Sequence, residues 1–307
     1  MQQKMVEKPL VSIITVNYNQ SEVTRDLLVS LREISYANVE IIVVDNASPS
    51  DSPDWLKTNF PEIVLLKSEE NVGFAGGNNL GIRAANGEFL LFINNDTEVE
   101  PGFIEPMVEL FLKDNSIGMI SPKIRFYHTP DTIQYAGYTP MSPYTMRQNL
   151  IGYHQVDKGQ FDDVKETYSV HGAAMMVPRR VIEDVGLMAE VFFLYYEEHD
   201  WSARIRNAGY KIYYQPRSLV MHKESISTGK ESPLKVYYIS RNRVVYARRN
   251  STGLTLLINL IYLNVVTIPK SGLQYILQGR FDLLKAFLRA MLWNLRWQKG
   301  LYQNPKL

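Results

Sequence analysis

Phe89-Leu-Leu-Phe-Ile-Asn-Asn-Asp96 decides how this chain reads. An unbroken apolar run stops at two amides and a carboxylate. Such a run suits a strand buried on both faces, the habit of parallel sheets. The same grammar recurs toward the N-terminus. Leu10–Val16 (LVSIITV) is apolar, β-branched and followed by Asn17-Tyr18-Asn19. Val39–Val44 ends at Asp45-Asn46, and Ile63–Leu66 supplies another strand. Helices fit between them. One starts at Ser21, read as its cap, with Val23, Leu27, Leu28, Leu31 and Ile34 at helical spacing. A short one holds Trp55 and Leu56, and a glycine-rich turn opens another over Gly73–Ala85. Pro101 suits the first turn of the next. This rhythm predicts an α/β fold with a mainly parallel sheet flanked by helices. Ligands in such sheets bind beyond the carboxyl ends of the strands. The polar clusters lie there, which predicts one shared site.

Residues from about Arg125 to Lys165 are rich in Tyr, Pro, Gly and Gln and read as loops or hairpins over that site. Order returns with His171–Val177, then with a helix near Glu198–Ala208 stopped by Gly209, and short strands at Lys211–Tyr214 and Leu219–Met221. Residues 1–235 read as the catalytic domain and 236–307 as a C-terminal helical region that associates with membrane. In that region Leu254–Ile268 is broken by Asn259 and Asn264. It falls short of the roughly 20 apolar residues of a spanning helix. Further on, Phe281, Leu284, Phe287, Leu288, Trp293 and Trp297 alternate with Lys285, Arg289, Arg296 and Lys299, a pattern suited to a helix lying among lipid headgroups. Packing on the catalytic domain, or on a second copy in a homodimer, is the other reading.

Composition narrows the function. The 307 residues carry 33 Lys+Arg against 32 Asp+Glu, a formal net charge of +1, which disfavours a nucleic-acid binder. With no cysteine, thiolate nucleophiles and cysteine–zinc sites are excluded. MQQKMVEKPL holds no apolar run of signal-peptide length, so a cytoplasmic enzyme, peripheral on the inner face of the cell membrane, is expected.

Asp45 follows a strand where a core carboxylate would be costly. It can accept from the ring N–H of a pyrimidine or from a ribose hydroxyl, or it can be a turn residue. Gly73, Gly76 and Gly77 allow close backbone approach to a ligand at a helix start. Asp96, beside amides at a strand end, can hold a hard cation that also binds a diphosphate. Glu197-Glu198-His199-Asp200 crowds carboxylates that need a cation, a proton or a substrate. One of them could act as general base, or together they could favour the helix dipole. On that helix Glu197 and Asp200 share a face, and Arg204 is placed to pair with Asp200. His222 ends the run LVM, as an edge histidine or as a metal or diphosphate ligand.

In order along the chain, TVNYN at 15–19, VVDNAS at 43–48, ENVGFAGGNN at 70–79, LLFINND at 90–96, HGAAMMVPRRVIEDVG at 171–186, FFLYYEEHDWSARIRNAGYKI at 192–212, VMH at 220–222 and RNR at 241–243 resemble the family 2 glycosyltransferases, particularly their rhamnosyltransferase-like branch. The resemblance implies a GT-A fold and inverting sugar transfer with Mg2+ or Mn2+. It implies that Thr15, Asn17, Asn19, Asp45, Asn71, Gly73 and Asn78 bind the nucleotide sugar, with Asn95 near the ribose. Asp96 and His222 would hold the metal, and Gly172 and Ala173 would border the acceptor. Glu198 takes the position of the catalytic base, with Glu197 and Asp200 as further candidates. Two departures stand out: Asn94-Asn95-Asp96 has one carboxylate where many relatives have more, and Glu198 stands where Asp is usual. The implied donor is dTDP-rhamnose or a UDP-sugar, and the implied acceptor is a saccharide or polyprenyl-linked saccharide of a cell-surface polysaccharide. A sugar-nucleotide nucleotidyltransferase would carry a glycine-rich Arg/Lys loop after the first strand, where this chain has Asn-Tyr-Asn-Gln. A non-catalytic nucleotide-sugar binder would have no reason to keep acidic residues where a base belongs.

Overall fold

The computed structural model describes residues 8–224, 232–296 and 304–307. Residues 1–7, and the Trp297 and Lys299 of the amphipathic tail, lie outside the described residues. The first half is a parallel α/β unit: β1 (Val11–Asn17), α1 (Ser21–Arg32), β2 (Val39–Asp45), α2 (Asp54–Asn59), β3 (Val64–Lys67), α3 (Gly73–Ala84) and β4 (Phe89–Ile93). Its strands lie in the order β3-β2-β1-β4. Their sequences are apolar throughout because both faces are covered. Ile13, Leu91 and Ile93 pack with Leu27, Leu28 and Leu31 of α1 on one face, and Ile14, Leu90 and Phe92 pack toward Ile82 of α3 on the other. Burial of each such side chain stabilises the fold by roughly 1.5–3 kcal/mol.

The sheet continues through β5 (Thr97–Val99), α4 (Glu105–Lys113), β6 (Ile117–Phe126), β7 (Thr129–Tyr135), β8 (Lys165–Glu166), β9 (Ala174–Pro178), α5 (Arg179–Val185), α6 (Glu197–Asn207) and β10 (Lys211–His222). Beyond β4 the order is β9-β6-β10-β5, and β9 and β5 run antiparallel to their neighbours. The two short strands expected over 211–221 are one strand with an irregularity between Gln215 and Leu219 that absorbs Pro216. Part of the expected loop region is the β6–β7 pair. Asp157 ties the segment after β7 to β6, accepting from Lys123 at 2.8 Å and Arg125 at 2.6 Å.

Two expected helix starts differ. Ser21 is the first residue of α1 and does not cap it; its N–H is held at 2.6 Å by the carboxylate of Asp51, a charge suited to the positive end of the helix. Pro101 precedes α4 by a turn, and Pro106 occupies the tolerated first-turn position.

The tail comprises α7 (Pro233–Asn250), α8 (Gly253–Tyr262), a π-helical turn (Leu263–Thr267), α9 (Ile268–Leu277) and α10 (Phe281–Asn294). The expected boundary at 235/236 falls inside α7, whose Val245, Tyr246 and Ala247 share a core with Met146, Ala189 and Phe192. The run read as too short to span continues as one helix of 25 residues, Gly253–Leu277, in which an 18-residue window has a mean hydropathy of 1.4. It is long and apolar enough to cross a membrane by length and composition, and 11% of its most apolar window is buried. Asn259 does not interrupt it because its amide donates to the Tyr144 carbonyl at 2.7 Å.

Asp200 joins α6 to α7. Its fully buried carboxylate accepts from Arg204 at 2.9 Å and from Arg249 at 2.7 Å. Burial alone would raise its pKa; the guanidiniums of Arg249 and Arg204 outweigh that and hold it below the usual carboxylate range. Asp200→Ala leaves two buried cations uncompensated and should destabilise the protein by about 3–5 kcal/mol in urea unfolding. Because the folded-state pKa is depressed, the stabilisation is full above about pH 4 and lost as acid protonates the group.

Candidate active site

Register builds the site. Asn17 lies opposite Asp45 at the carboxyl ends of β1 and β2. The Asn17 amide donates to Asp45 at 2.9 Å. Thr24 of α1 donates to Asn17 Oδ1 at 2.9 Å and accepts from Asn95 at 3.1 Å. One chain of hydrogen bonds thus ties together the ends of β4, β1 and β2. Asp45 also accepts from the Ser48 hydroxyl at 2.6 Å and the Ser48 N–H at 3.2 Å, so it shapes its own turn. Asn19, with φ +53, holds the Ser50 N–H at 3.1 Å.

Asn46, in the polar cluster that ends β2, carries a role that its sequence position does not reveal. Its amide donates to Asn71 at 3.0 Å and to the Gly73 carbonyl at 3.1 Å, and its oxygen accepts from Val72 N–H. It fastens the glycine-rich turn to β2. Gly73 has φ +73, and a Cβ there would lie 2.3 Å from the Phe193 carbonyl, which accepts from Phe74 N–H at 2.6 Å. Gly77 serves close helix–sheet packing instead: a Cβ there would lie 2.9 Å from Val16. Thr15 and Asn78 are buried, Thr15 with its hydroxyl unpartnered and Asn78 donating to the Phe74 carbonyl at 2.9 Å.

Topology brings the distant parts together. β5 returns antiparallel to β10 and pairs Thr97 with His222. This sets His222 Nε2 3.1 Å from Asp96 Oδ1, both side chains being nearly buried. His222 Nδ1 lies 2.8 Å from Gln134 Oε1. A proton on Nδ1, donated to that amide oxygen, leaves Nε2 and the Asp96 carboxylate as two acceptors facing each other. Such a pair calls for a proton or a cation between them. No cluster of three metal-ligating side chains occurs among the described residues. A cation here would have two protein donors and take the rest from phosphate and water, the way Mg2+ is commonly held.

β9 pairs with β4, and Asn94 N–H donates to the Ala173 carbonyl at 2.9 Å. His171-Gly172-Ala173 therefore lies beside Asn94-Asn95-Asp96. Gly172 also adjoins α6: a Cβ on it would be 3.8 Å from the Glu198 carboxyl carbon. Ala173 itself is buried. The three carboxylates of α6 separate by environment. Asp200 is spent on its arginines. Glu197 is buried, and burial, then the Glu198 charge, push it well above the usual carboxylate range. Glu198 remains partly exposed, with Oε2 unpartnered and His199 3.6 Å from Oε1. His199 is held by the Ser169 hydroxyl at 2.9 Å and by Gln148 at 3.1 Å. Burial, with His222 and His199 nearby, pushes the His171 imidazole down to about 3.

The loop before α6 is clamped from the tail. Phe193, Tyr195 and Tyr196 all have positive φ. Asn242 of α7 donates to the carbonyls of Phe192, Leu194 and Tyr195 at 2.7–2.8 Å, and Arg241 to those of Val191 and Phe192. The arginines of RNR are buried, and Arg243 donates to the Thr145 carbonyl. A cavity of about 320 Å³ between Met141, Met146, Tyr246 and Thr255 is lined by none of the candidate site residues.

Residues 12–185 match the model of the family described as glycosyl transferase family 2. The chain is 30% identical over 215 residues to the low-salt glycan biosynthesis hexosyltransferase Agl10 of Haloferax volcanii, covering 69% of this chain and 66% of that one. It is 22% identical over 239 residues to the N-acetylglucosaminyl-diphospho-decaprenol L-rhamnosyltransferase of Mycobacterium tuberculosis, covering 71% and 78%. Among solved structures it is similar to GalNAc-T7 with UDP, GalNAc and Mn2+ (TM-score 0.61, 15% identity, 84% of this chain and 55% of that one). It is also similar to the mannosyltransferase PcManGT of Pyrobaculum calidifontis with GDP-Man and Mn2+ (TM-score 0.57, 17% identity, 96% and 89%). The chain thus spans about two thirds of the archaeal relative and about half of GalNAc-T7. Family match and structural likeness agree: the chain belongs to the glycosyl transferase family 2 and has the GT-A fold.

Proposed function

We propose that the chain is an inverting glycosyltransferase that moves a sugar from a nucleoside diphosphate, as dTDP-rhamnose or a UDP-sugar, to a hydroxyl of a saccharide or lipid-linked saccharide in cell-surface polysaccharide synthesis. The observation that carries this is the place of Glu198, whose carboxyl group adjoins Gly172 with Oε2 unpartnered, while Asp200 is paired with arginines and Glu197, also unpartnered at Oε2, is driven by burial toward its protonated form. Asn17, Asn19, Asp45 and Asn71 form the nucleotide end, with Thr15 and Asn78 packed behind them, and Asn95 orients toward the ribose. Asp96 and His222 hold Mg2+ or Mn2+, which would neutralise charge building on the departing diphosphate. Gln134 fixes the His222 ring, the usual role of such an outer partner. Glu198 takes the proton of the acceptor hydroxyl, whose oxygen attacks the anomeric carbon opposite the nucleotide. The C1–O bond to the diphosphate breaks, and configuration inverts in that single displacement. Glu197 and Asp200 position α6 and touch no substrate.

Incubated with UDP-glucose, UDP-galactose or dTDP-rhamnose and Mn2+, the protein should release nucleoside diphosphate slowly from one donor, and EDTA should abolish the release. Pyrophosphate formation from a nucleoside triphosphate and sugar phosphate would mark a nucleotidyltransferase instead.

The exposed helix Gly253–Leu277 and the exposed Phe281, Leu288 and Leu292 of α10 support contact with a membrane surface, where a lipid-linked acceptor would lie. The protein should cosediment with anionic vesicles, and Leu257→Asp with Ile261→Asp should reduce the bound fraction about tenfold or more, since both side chains are half exposed.

A further inference from the structure

The transfer scheme uses Glu198, Asp96 and His222 and leaves His171 without a task. The residue is half-buried. It is held on two sides: Tyr135 packs against it with centroids 5.6 Å apart and His222 meets it edge-on at 6.0 Å, while the backbone N–H of the residue donates to the Ser121 hydroxyl at 3.4 Å. Nδ1 accepts from the Ala173 N–H at 3.1 Å. A neutral imidazole with its Nδ1 lone pair so engaged carries its proton on Nε2. Among the described residues no protein group pairs with that Nε2–H. The tautomer removes two roles at once. Nε2 has no lone pair for a metal ion, and none for taking a proton. What remains is an uncharged, oriented hydrogen-bond donor.

Its place says what it meets. Gly172, the next residue, adjoins the Glu198 carboxyl group, and the His222 ring of the cation pair lies on the other side. The sugar in transit must sit between the base that activates the acceptor and the cation that receives the diphosphate. A neutral donor there matches an uncharged oxygen, and sugar hydroxyls supply these. We infer that His171 is a specificity-determining residue whose Nε2–H donates to a hydroxyl oxygen of the transferred sugar. The assignment rests on the transfer reading above.

The test uses the full chain, with His171→Ala and His171→Gln. Kinetics are measured on whichever of UDP-glucose, UDP-galactose and dTDP-rhamnose turns over and on its monodeoxy analogues, and binding on UDP and dTDP alone. His171→Ala should lower kcat/KM for the intact donor about 10- to 100-fold. It should leave the Kd of the nucleoside diphosphate within about twofold, as expected for a contact to sugar alone. Wild type should lose a similar factor with one deoxy analogue, on which the variant loses nothing further. His171→Gln, which restores an N–H, should recover part of the loss. An equal loss on every analogue would assign His171 to positioning Ala173 and overturn the inference. Equal weakening of UDP and dTDP would move the contact to phosphate and overturn it too, as would unchanged kinetics. A wild-type protein that turns over no nucleotide sugar would defeat the transfer reading itself, an outcome distinct from an active enzyme indifferent to His171.

Discussion

Glu198→Gln should lower kcat by about 10²- to 10⁴-fold and leave donor affinity within about threefold, the range expected when a general base is removed. The amide keeps the size and the hydrogen-bonding outline of the carboxylate, so the pocket beside Gly172 stays intact. What it cannot do is accept the proton of the acceptor hydroxyl. Donor hydrolysis followed alongside transfer, with calorimetric binding of UDP or dTDP, separates the two effects. Glu197→Gln is the control. Glu197 is already driven toward its protonated form by burial and by the Glu198 charge, so a neutral isostere should change kcat less than about tenfold. If Glu197→Gln abolished turnover and Glu198→Gln did not, the base would be misassigned.

Asp96→Asn should lower kcat/KM for the donor by about 10²-fold or more and remove the Mn2+ dependence of nucleotide binding. With one carboxylate in Asn94-Asn95-Asp96, no neighbouring side chain on that turn can take its place. His222 would remain, yet a single neutral ligand gives a hard cation little reason to stay. Gln134→Ala, which only frees the His222 ring, should weaken Mn2+-dependent binding by about 10- to 100-fold. Titration of Mn2+ in the presence of UDP or dTDP measures both. Undiminished Mn2+ dependence in Asp96→Asn would place the cation elsewhere.

The parallel half of the sheet was legible because β1, β2 and β4 are buried on both faces. That condition writes continuous apolar runs into sequence, and polar residues are tolerated only where the strands end. The ion pair of Asp200 with Arg204 was legible too, being one helical turn long. The longer-range partners were not. Asp96 meets His222 only because β5 returns antiparallel to β10, and no local periodicity reports that pairing. Arg249 reaches Asp200 from another helix. Asn46 looks like any turn asparagine until its three partners are seen. The RNR arginines carry a charge pattern that suits lipid as well as it suits buried carbonyls, and packing alone decides. Glycine was ambiguous for the same reason: Gly73 answers to backbone conformation, Gly77 to the width of Val16.

Phe193, Tyr195 and Tyr196 sit in a backbone region that bulky residues avoid, at about 1–3 kcal/mol each. Asn242 and Arg241 help to hold them there, from a helix that follows the sheet in sequence and packs against α6. The stretch ahead of Glu198 is therefore a bent spring with its catch on α7. The Arg241 guanidinium lies 4.6 Å over the Trp293 ring, and Asn294 donates to the Arg241 carbonyl, so the catch is braced by α10. Substitutions in the tail should therefore reach Glu198, the proposed base, because they change what keeps the spring bent.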